Sequence, residues 1–384
     1  MVSEHECGFP IDLVYLWVDG HRPEFIKEKN YWKQKLNVAE SEDTSDSRFI
    51  DNEELRYSLR SVAKNAPWIN KIFIITNGQV PDWLDLSKAD NIKIVKHDEI
   101  MPKEILPCYN SRVIESFVAN IPDLSEHFLL ANDDCFIDRP ISPSFFFDTN
   151  GSPIVRFLMY RFTHKYLRNS LYGRSIIHTM NLFHKKYPDL VLEKYTPHHN
   201  IDAYTKSAYL ECIETFKSEF DKLRPQKFRE KSIQRIAFAL YLLAAKNAKL
   251  EIVGKRLPIF SKAKSLYIAI QDPKQMIEKI CSKRPYLLCI NDGSSVEQEK
   301  REEFRYFLEF LYPHKQCWEK TETELDPKEI ETHKKKYSLI KSKYFLKLLF
   351  SVTNICRKDD KHKVINILGV KIKFKVKKKA DKNE

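Results

Sequence analysis

Phe128-Leu129-Leu130-Ala131 is an apolar run that passes without a spacer into Asn132-Asp133-Asp134. A run of this kind, bounded by turn-forming residues, predicts a short buried strand. Two adjacent carboxylates at the end of such a strand cost free energy unless a cation or hydrogen-bond donors offset them. In an open α/β sheet, ligands bind at the carboxyl ends of the strands. Asp and Asn oxygens are hard ligands suited to Mg²⁺ carrying phosphates. The same residue types also favour plain turns, and the stretch alone fits either.

Other segments repeat the pattern. Ile11 to Val18 is a β-rich run opened by Pro10 and closed by Asp19-Gly20, with Asp12 near its start and Trp17 near its end. Core packing accounts for Trp17 as readily as function does. Ile72 to Thr76 is a second buried strand, ending in Asn77-Gly78-Gln79, and Ile92 to Val95 a third. Leu55, Leu59 and Val62 share one face of a helix that Asp51 or Asn52 can cap. Alternation of strands and helices predicts an α/β fold, a mostly parallel sheet with helices on both faces. Ile154 to Met159 can continue the sheet, and residues 203–220 and 228–247 read as two amphipathic helices, a helical insertion within about 160–250. Tyr286 to Ile290 is a further strand, again with a polar end, Asn291-Asp292-Gly293.

Composition narrows the function classes. The chain has 384 residues, 42% hydrophobic and 31% charged, as expected of a soluble globular protein. The eight cysteines form no CxxC pair, which favours reduced thiols in a cytoplasm over a disulfide framework. No GxGxxG or P-loop occurs among the eight glycines, which excludes those phosphate cradles. The first residues lack a signal-peptide pattern. The longest apolar run, Ile236 to Ala245 between Arg235 and Lys246, is too short to span a bilayer. From His333 onward there are 17 Lys and Arg against 4 Asp and Glu, and the first 332 residues carry 48 against 49. The net charge of +12 therefore sits in the tail.

The Ile11 to Gly20 stretch resembles the first block of the Stealth family. Arg48 to Ala66, Pro67-Trp68, the turn from Thr76 to Pro81 and Asn132-Asp133-Asp134 resemble its second block. His199 to about Tyr241 is similar to the third, and Cys289-Ile290-Asn291-Asp292 through Tyr312-Pro313 to the fourth. The family includes bacterial capsular polysaccharide phosphotransferases and the catalytic subunit of the lysosomal-enzyme N-acetylglucosamine-phosphotransferase. The resemblance implies a glycosyltransferase-A-like core over residues 1–320, and the charge distribution sets a basic tail, residues 321–384, beyond it. The resemblance also implies Mg²⁺-dependent transfer of a sugar-1-phosphate, hexose or N-acetylhexosamine, from a UDP-sugar to an acceptor sugar hydroxyl, with release of UMP. By the same match Glu115 and Asp134 are active-site carboxylates, Asn291 lies on the metal side, and Arg229 is a catalytic arginine. An ungapped count back from Arg229 makes His199 the catalytic histidine, while the local Pro-His-His-Asn sequence keeps His198 as the alternative. Asp12 falls in the nucleotide-side block, with Trp17 and Asn77 at the ends of the first two strands beside it.

Such a transfer needs a cation, a diphosphate clamp and a base. Mg²⁺ usually rests on one or two carboxylates plus substrate phosphates, which fits Asp134 with Asp133 and Asn291; Mn²⁺ would serve as well. Asp133 is equally explained as a turn residue. An arginine grips phosphate oxygens bidentately, and a histidine serves as base near neutral pH. Glu115 can orient base or acceptor; a plain helix acid is the simpler account. In the tail, Lys334 to Leu349 fits a basic amphipathic helix, and Val370 to Lys377 alternates apolar residues with lysine. Both suit an anionic inner-membrane surface, at about 1 kcal/mol per lysine; a solvated tail is the alternative. Nucleic acid is not expected, since the tail lacks a stacking-rich fold. The sequence leaves homo-oligomerisation open. Rivals are a glycosyltransferase releasing UDP and a non-catalytic membrane-surface binder.

Overall fold

The computed structural model describes residues 8–39, 45–158, 169–190, 195–253, 262–321, 325–357, 360–367 and 370–375. Parts of the expected insertion (159–168, 191–194) and the end of the alternating ribbon (Val376-Lys377) lie outside the described residues.

Strands β1 (Ile11–Leu16), β2 (Ile72–Thr76), β3 (Ile92–Lys96) and β4 (His127–Asn132) lie parallel, in the order β3-β2-β1-β4. β1, β2 and β4 are mostly apolar and buried on both faces, as a helix-covered parallel sheet requires, whereas β3 at the edge exposes Lys93 and Lys96. Three further short strands follow: β5 (Cys135–Ile137), β6 (Ile154–Leu158) and β7 (Thr196–Pro197). After them come β8 (Asp202–Thr205), β9 (Lys249–Val253), β10 (Ser265–Ala269) and β11 (Leu287–Asn291). β8 closes the main sheet antiparallel to β4, with Ala203 opposite Leu129. The helix expected from residue 203 therefore begins only at Lys206, because tertiary pairing overrides propensity there. β6 does not extend the main sheet; it pairs with β7 and β9 in a sheet of its own.

The second expected helix is also shorter, Ile236–Ala244. The segment before it is irregular because side chains hold its backbone: Asn110 donates to Phe228 O and Gln226 O, and Arg112 to Glu230 O. Ile236–Ala244 is a buried core helix, and no helix among the described residues is long and apolar enough to cross a membrane.

The helix Glu54–Asn65 packs Leu55, Leu59 and Val62 beneath the main sheet. Neither Asp51 nor Asn52 caps it, since Glu53 holds the N-cap position and Asp51 accepts the Glu53 N–H instead. Its other face is buried too. Arg56 and Arg60, each 1% exposed, share the Glu319 carboxylate at 2.6–2.7 Å, and Arg60 also reaches Glu309 at 2.7 Å. These contacts tie the helix to Gln298–Leu311 and the segment after it.

The packed body runs past the boundary expected at residue 320. The helix Pro327–Leu349 buries Tyr337 completely against Phe307 and Phe310, and Lys336 pairs with Glu303 at 2.6 Å. Beyond it, β12 (Phe350–Arg357), β13 (Asp360–Ile367) and β14 (Val370–Lys375) form an antiparallel meander, so the alternating segment is a paired strand.

Removing one partner of a buried ion pair leaves the other uncompensated, at about 3–5 kcal/mol. Glu319→Ala should therefore lower stability by about that much in urea unfolding. Arg60 and Arg56 outweigh burial and hold the Glu319 carboxyl below its usual range. Its contribution is present above the unfolded glutamate value of about 4.3 and fades as pH falls through the lower folded value. Unfolding free energies of wild type and Glu319→Gln measured across acid pH should accordingly converge.

Candidate active site

The site grows from the turn that joins β4 to β5. Parallel β1 and β4 pair Leu16 with Asn132, so both strands end at one edge, where Trp17 and Asp133-Asp134 emerge. β5 then reverses and pairs antiparallel with β11, setting Cys135 opposite Cys289. The Ile290 N–H donates to Asp134 O at 3.0 Å, which brings the end of β11 over the turn. Asn291 Nδ2 donates to Asp134 Oδ2 at 3.1 Å, and the Cys289 thiol to the same oxygen at 3.4 Å. The Cys135 thiol reaches Oδ1 at 3.5 Å. Asp134, His199 and Cys289 each present one ligand-capable atom within 4.8 Å of the others. Tyr267 donates its hydroxyl to Asn291 Oδ1 at 3.2 Å and sets its ring edge-on to His199.

The two histidines differ. His198 is 4% exposed and engaged at both ring nitrogens, Nε2 with Asp202 at 2.8 Å and Nδ1 with Ser265 at 3.3 Å. His199 is half-buried; burial lowers its imidazole, against the opposing pull of Asp134.

Arg235 is the centre of the second half of the site. Its Nη1 lies 3.4 Å from Glu115 Oε1 and 3.4 Å from Asn132 Oδ1, and its Nη2 lies 3.5 Å from Asp202 Oδ2. Burial opposes its charge, but Glu115 and Asp202 more than offset this and keep it firmly cationic. Glu115, buried in the helix Ser111–Glu115, is pushed up by burial and pulled back by Arg235, Arg229 and Arg112. Arg229 donates to Ser111 Oγ at 2.9 Å and so faces the same carboxylate.

A third group is acidic. Burial, with Asp134 and Asp51 beside it, raises Asp133 well above the usual carboxylate range. Glu54 is raised in the same way by burial, Asp133 and Asp51, although Asn52 donates to both its oxygens at 2.7 Å. Burial and Glu53 lift Asp51 to about 7. Next to these acids a cavity of about 340 Å³ opens, lined by Trp17, Asp19, Arg22, Asp51 and Arg301 among others. The Trp17 indole N–H is buried and lies beside the Asp51 carboxyl, whose charged form it favours. Gly20 fixes this wall: it donates to Phe49 O at 2.7 Å, and a Cβ there would stand 2.2 Å from that oxygen.

Of the residues expected at the site, Asp134, Asn291 and His199 come together, Glu115 and Arg229 flank them, and Asp133 and Trp17 line the same edge. Asn77 follows β2 on the exposed rim. Asp12 does not join them. It begins β1, roughly 13 Å of strand from the site edge, and its oxygens accept from Asn70, Lys71 N and Ser125 N at 2.7–3.1 Å. Asp12 pins loops at the far edge of the sheet. Arg235, Asp202, Asp51 and Glu54 join the site without being expected there. In the sequence Arg235 only bounds an apolar run, and Asp51 only offers a helix cap.

An α/β sheet with acids, an imidazole and arginines gathered at its strand ends defines a glycosyltransferase-A-like protein. Residues 9–37 match the model for Stealth protein CR1, conserved region 1, and residues 48–155 that for Stealth protein CR2, conserved region 2. The chain belongs to the Stealth family. It is 31% identical to a capsular polysaccharide phosphotransferase of Neisseria meningitidis serogroup B, over 79% of this chain and 83% of that one. A capsular polysaccharide phosphotransferase of Haemophilus influenzae is 32% identical, over 74% and 79% respectively. An exopolysaccharide phosphotransferase of Mycobacterium leprae is 32% identical, over 84% of this chain and 59% of its own.

Arg235→Met should strand Glu115 and Asp202, and lower stability by about 3–5 kcal/mol. Arg235→Lys, which keeps the charge but not the fork, should recover part of that loss in thermal or urea unfolding.

Proposed function

We propose that this chain transfers a sugar-1-phosphate from a UDP-sugar to a hydroxyl of an acceptor sugar, releasing UMP, during synthesis of a bacterial surface polysaccharide. The observation that carries the proposal is the meeting of Asp134, Asn291 and His199 at the carboxyl ends of the strands. The relatives' names, capsular and exopolysaccharide phosphotransferases, support the reaction class.

The chain's own residues suit each task. Crowded carboxyls at Asp133, Glu54 and Asp51 beside Asp134 fit a divalent cation, because like charges this close resist ionising together without one. Asp134, with Asp133 and Asn291, would hold Mg²⁺ or Mn²⁺, which when bound neutralises charge on the diphosphate and the departing nucleotide. The cavity beside Trp17 is the natural seat for the nucleotide, at the end of β1. His199, held neutral by burial, takes the proton of the acceptor hydroxyl. His198, engaged at both nitrogens, holds Asp202 and the strand instead. Arg229 offers a planar fork to the phosphoryl oxygens, and Arg235 offsets part of the burial that raises Glu115 and holds that side chain in place.

Incubation with a panel of UDP-sugars, Mg²⁺ and acceptor should yield UMP. UDP as the nucleotide product would instead make the chain a glycosyltransferase. Asp134→Ala should lower turnover by about 10³-fold or more with folding retained on circular dichroism; full activity in that variant would end the proposal, and a mere surface binder would keep every function.

We further assign the C-terminal region to the cytoplasmic face of the inner membrane. Leu339, Phe345 and Leu346 are exposed on the helix Pro327–Leu349, interleaved with exposed Lys341 and Lys343. The full chain should sediment with anionic but not neutral vesicles, and lose that binding in high salt and in the Lys371→Glu, Lys373→Glu double variant.

A further inference from the structure

The Asp134 carboxylate faces sulfur as well as oxygen and nitrogen. Residues two apart on a strand share a face. Cys289 and Asn291 therefore point the same way from β11, and both reach Asp134 Oδ2. Asp134 is 7% and Cys289 0% exposed, whereas His199 is half-buried and leaves one side of the group open. Carboxylate, imidazole and thiol within 4.8 Å make a mixed oxygen, nitrogen and sulfur set. Mg²⁺ takes oxygen ligands almost alone, while this set is the chemistry of Zn²⁺ and its neighbours, with three protein ligands and a fourth position open.

We propose that Asp134, His199 and Cys289 form a binding site for a thiophilic divalent cation of the zinc class. Burial, with Cys135 and Asp134 beside it, keeps the Cys289 thiol protonated in the metal-free chain, where it donates to Asp134. Binding breaks the S–H bond, sends its proton to solvent and forms a metal–sulfur bond; nothing is oxidised or reduced. The thiolate and the Asp134 carboxylate then neutralise the ion's two charges, and neutral His199 completes the set. Tetrahedral ligand atoms stand roughly 3.5 Å apart, given metal–ligand lengths of about 2.0–2.3 Å. Cys289 Sγ and Asp134 Oδ2 already stand 3.4 Å apart, so closing the group requires only a shift of the His199 ring toward them. Because Asp134 is shared, such an ion excludes Mg²⁺ and occupies the imidazole, which makes it an inhibitor. That last consequence rests on the proposed reaction; the metal site does not.

Co²⁺, a spectroscopic stand-in for Zn²⁺, tests the site when titrated into the metal-stripped full chain. The expected result is one tightly held Co²⁺ per chain with a thiolate-to-cobalt charge-transfer band, bleached by Zn²⁺ and little affected by a large excess of Mg²⁺. Cys289→Ser should abolish the band and weaken binding at least about tenfold, while Cys135→Ser keeps it. If Cys289→Ser does not fold, His199→Gln carries the test and should weaken Co²⁺ at least about tenfold. Absence of the band overturns the proposal, as does a band that survives Cys289→Ser, a band lost in Cys135→Ser, or undiminished Co²⁺ affinity in His199→Gln. A band without turnover would leave the metal site standing and remove the reaction; turnover without a band would do the reverse.

Discussion

One backbone hydrogen bond, Ile290 N–H to Asp134 O, sets the geometry on which the site depends. It extends the antiparallel ladder of β5 and β11 by one step beyond Cys135 and Cys289. Because side chains alternate along a strand, slipping this ladder by one residue would turn Asn291 and Cys289 away from Asp134. Leu287, Leu288, Cys289 and Ile290 are all buried, which makes such a slip costly. Two segments more than 150 positions apart are thus aligned by the core and not by the polar groups they present.

The polar groups are set against one another in a graded way. On one side, Arg235, Arg229 and Arg112 offset Glu115 and Asp202. On the other, Asp133, Glu54 and Asp51 crowd together and favour their protonated forms. Asp134 and His199 lie between. In the proposed reaction a phosphoryl group in flight carries negative charge, and the arginines on one side with a cation among the acids on the other would support it.

Much of this was legible in the sequence, for reasons that can be named. The strands of the main sheet announced themselves because residues buried on both faces leave an unbroken apolar run. Polar residues directly after such runs, as at Asn132-Asp133-Asp134 and Asn291, marked strand ends where function gathers. Residues 203–220 read as helix because β8 carries no apolar run of its own and its pairing partner, Leu129-Phe128, is distant in sequence. Asp12 shares a sequence block with Trp17, yet the strand between them carries the two residues to opposite ends of the sheet. Arg235 carries no local signal, because its partners come from three separate segments, and no local pattern records a meeting of that kind.

The shared carboxylate of Glu319 has a bearing on how the chain comes into being. The guanidinium groups of Arg56 and Arg60 belong to a helix packed on the central sheet, but the acid that satisfies them is some 260 positions downstream. During synthesis the early strands and this helix can gather with only the Glu53 contact of Arg56 in place, and the Glu309 and Glu319 carboxylates that complete the set arrive much later. The body is therefore not a nucleus to which later parts are added; it is a ring that closes near its end. Final consolidation of the sheet that carries the reactive groups has to wait for nearly the whole catalytic region to be made.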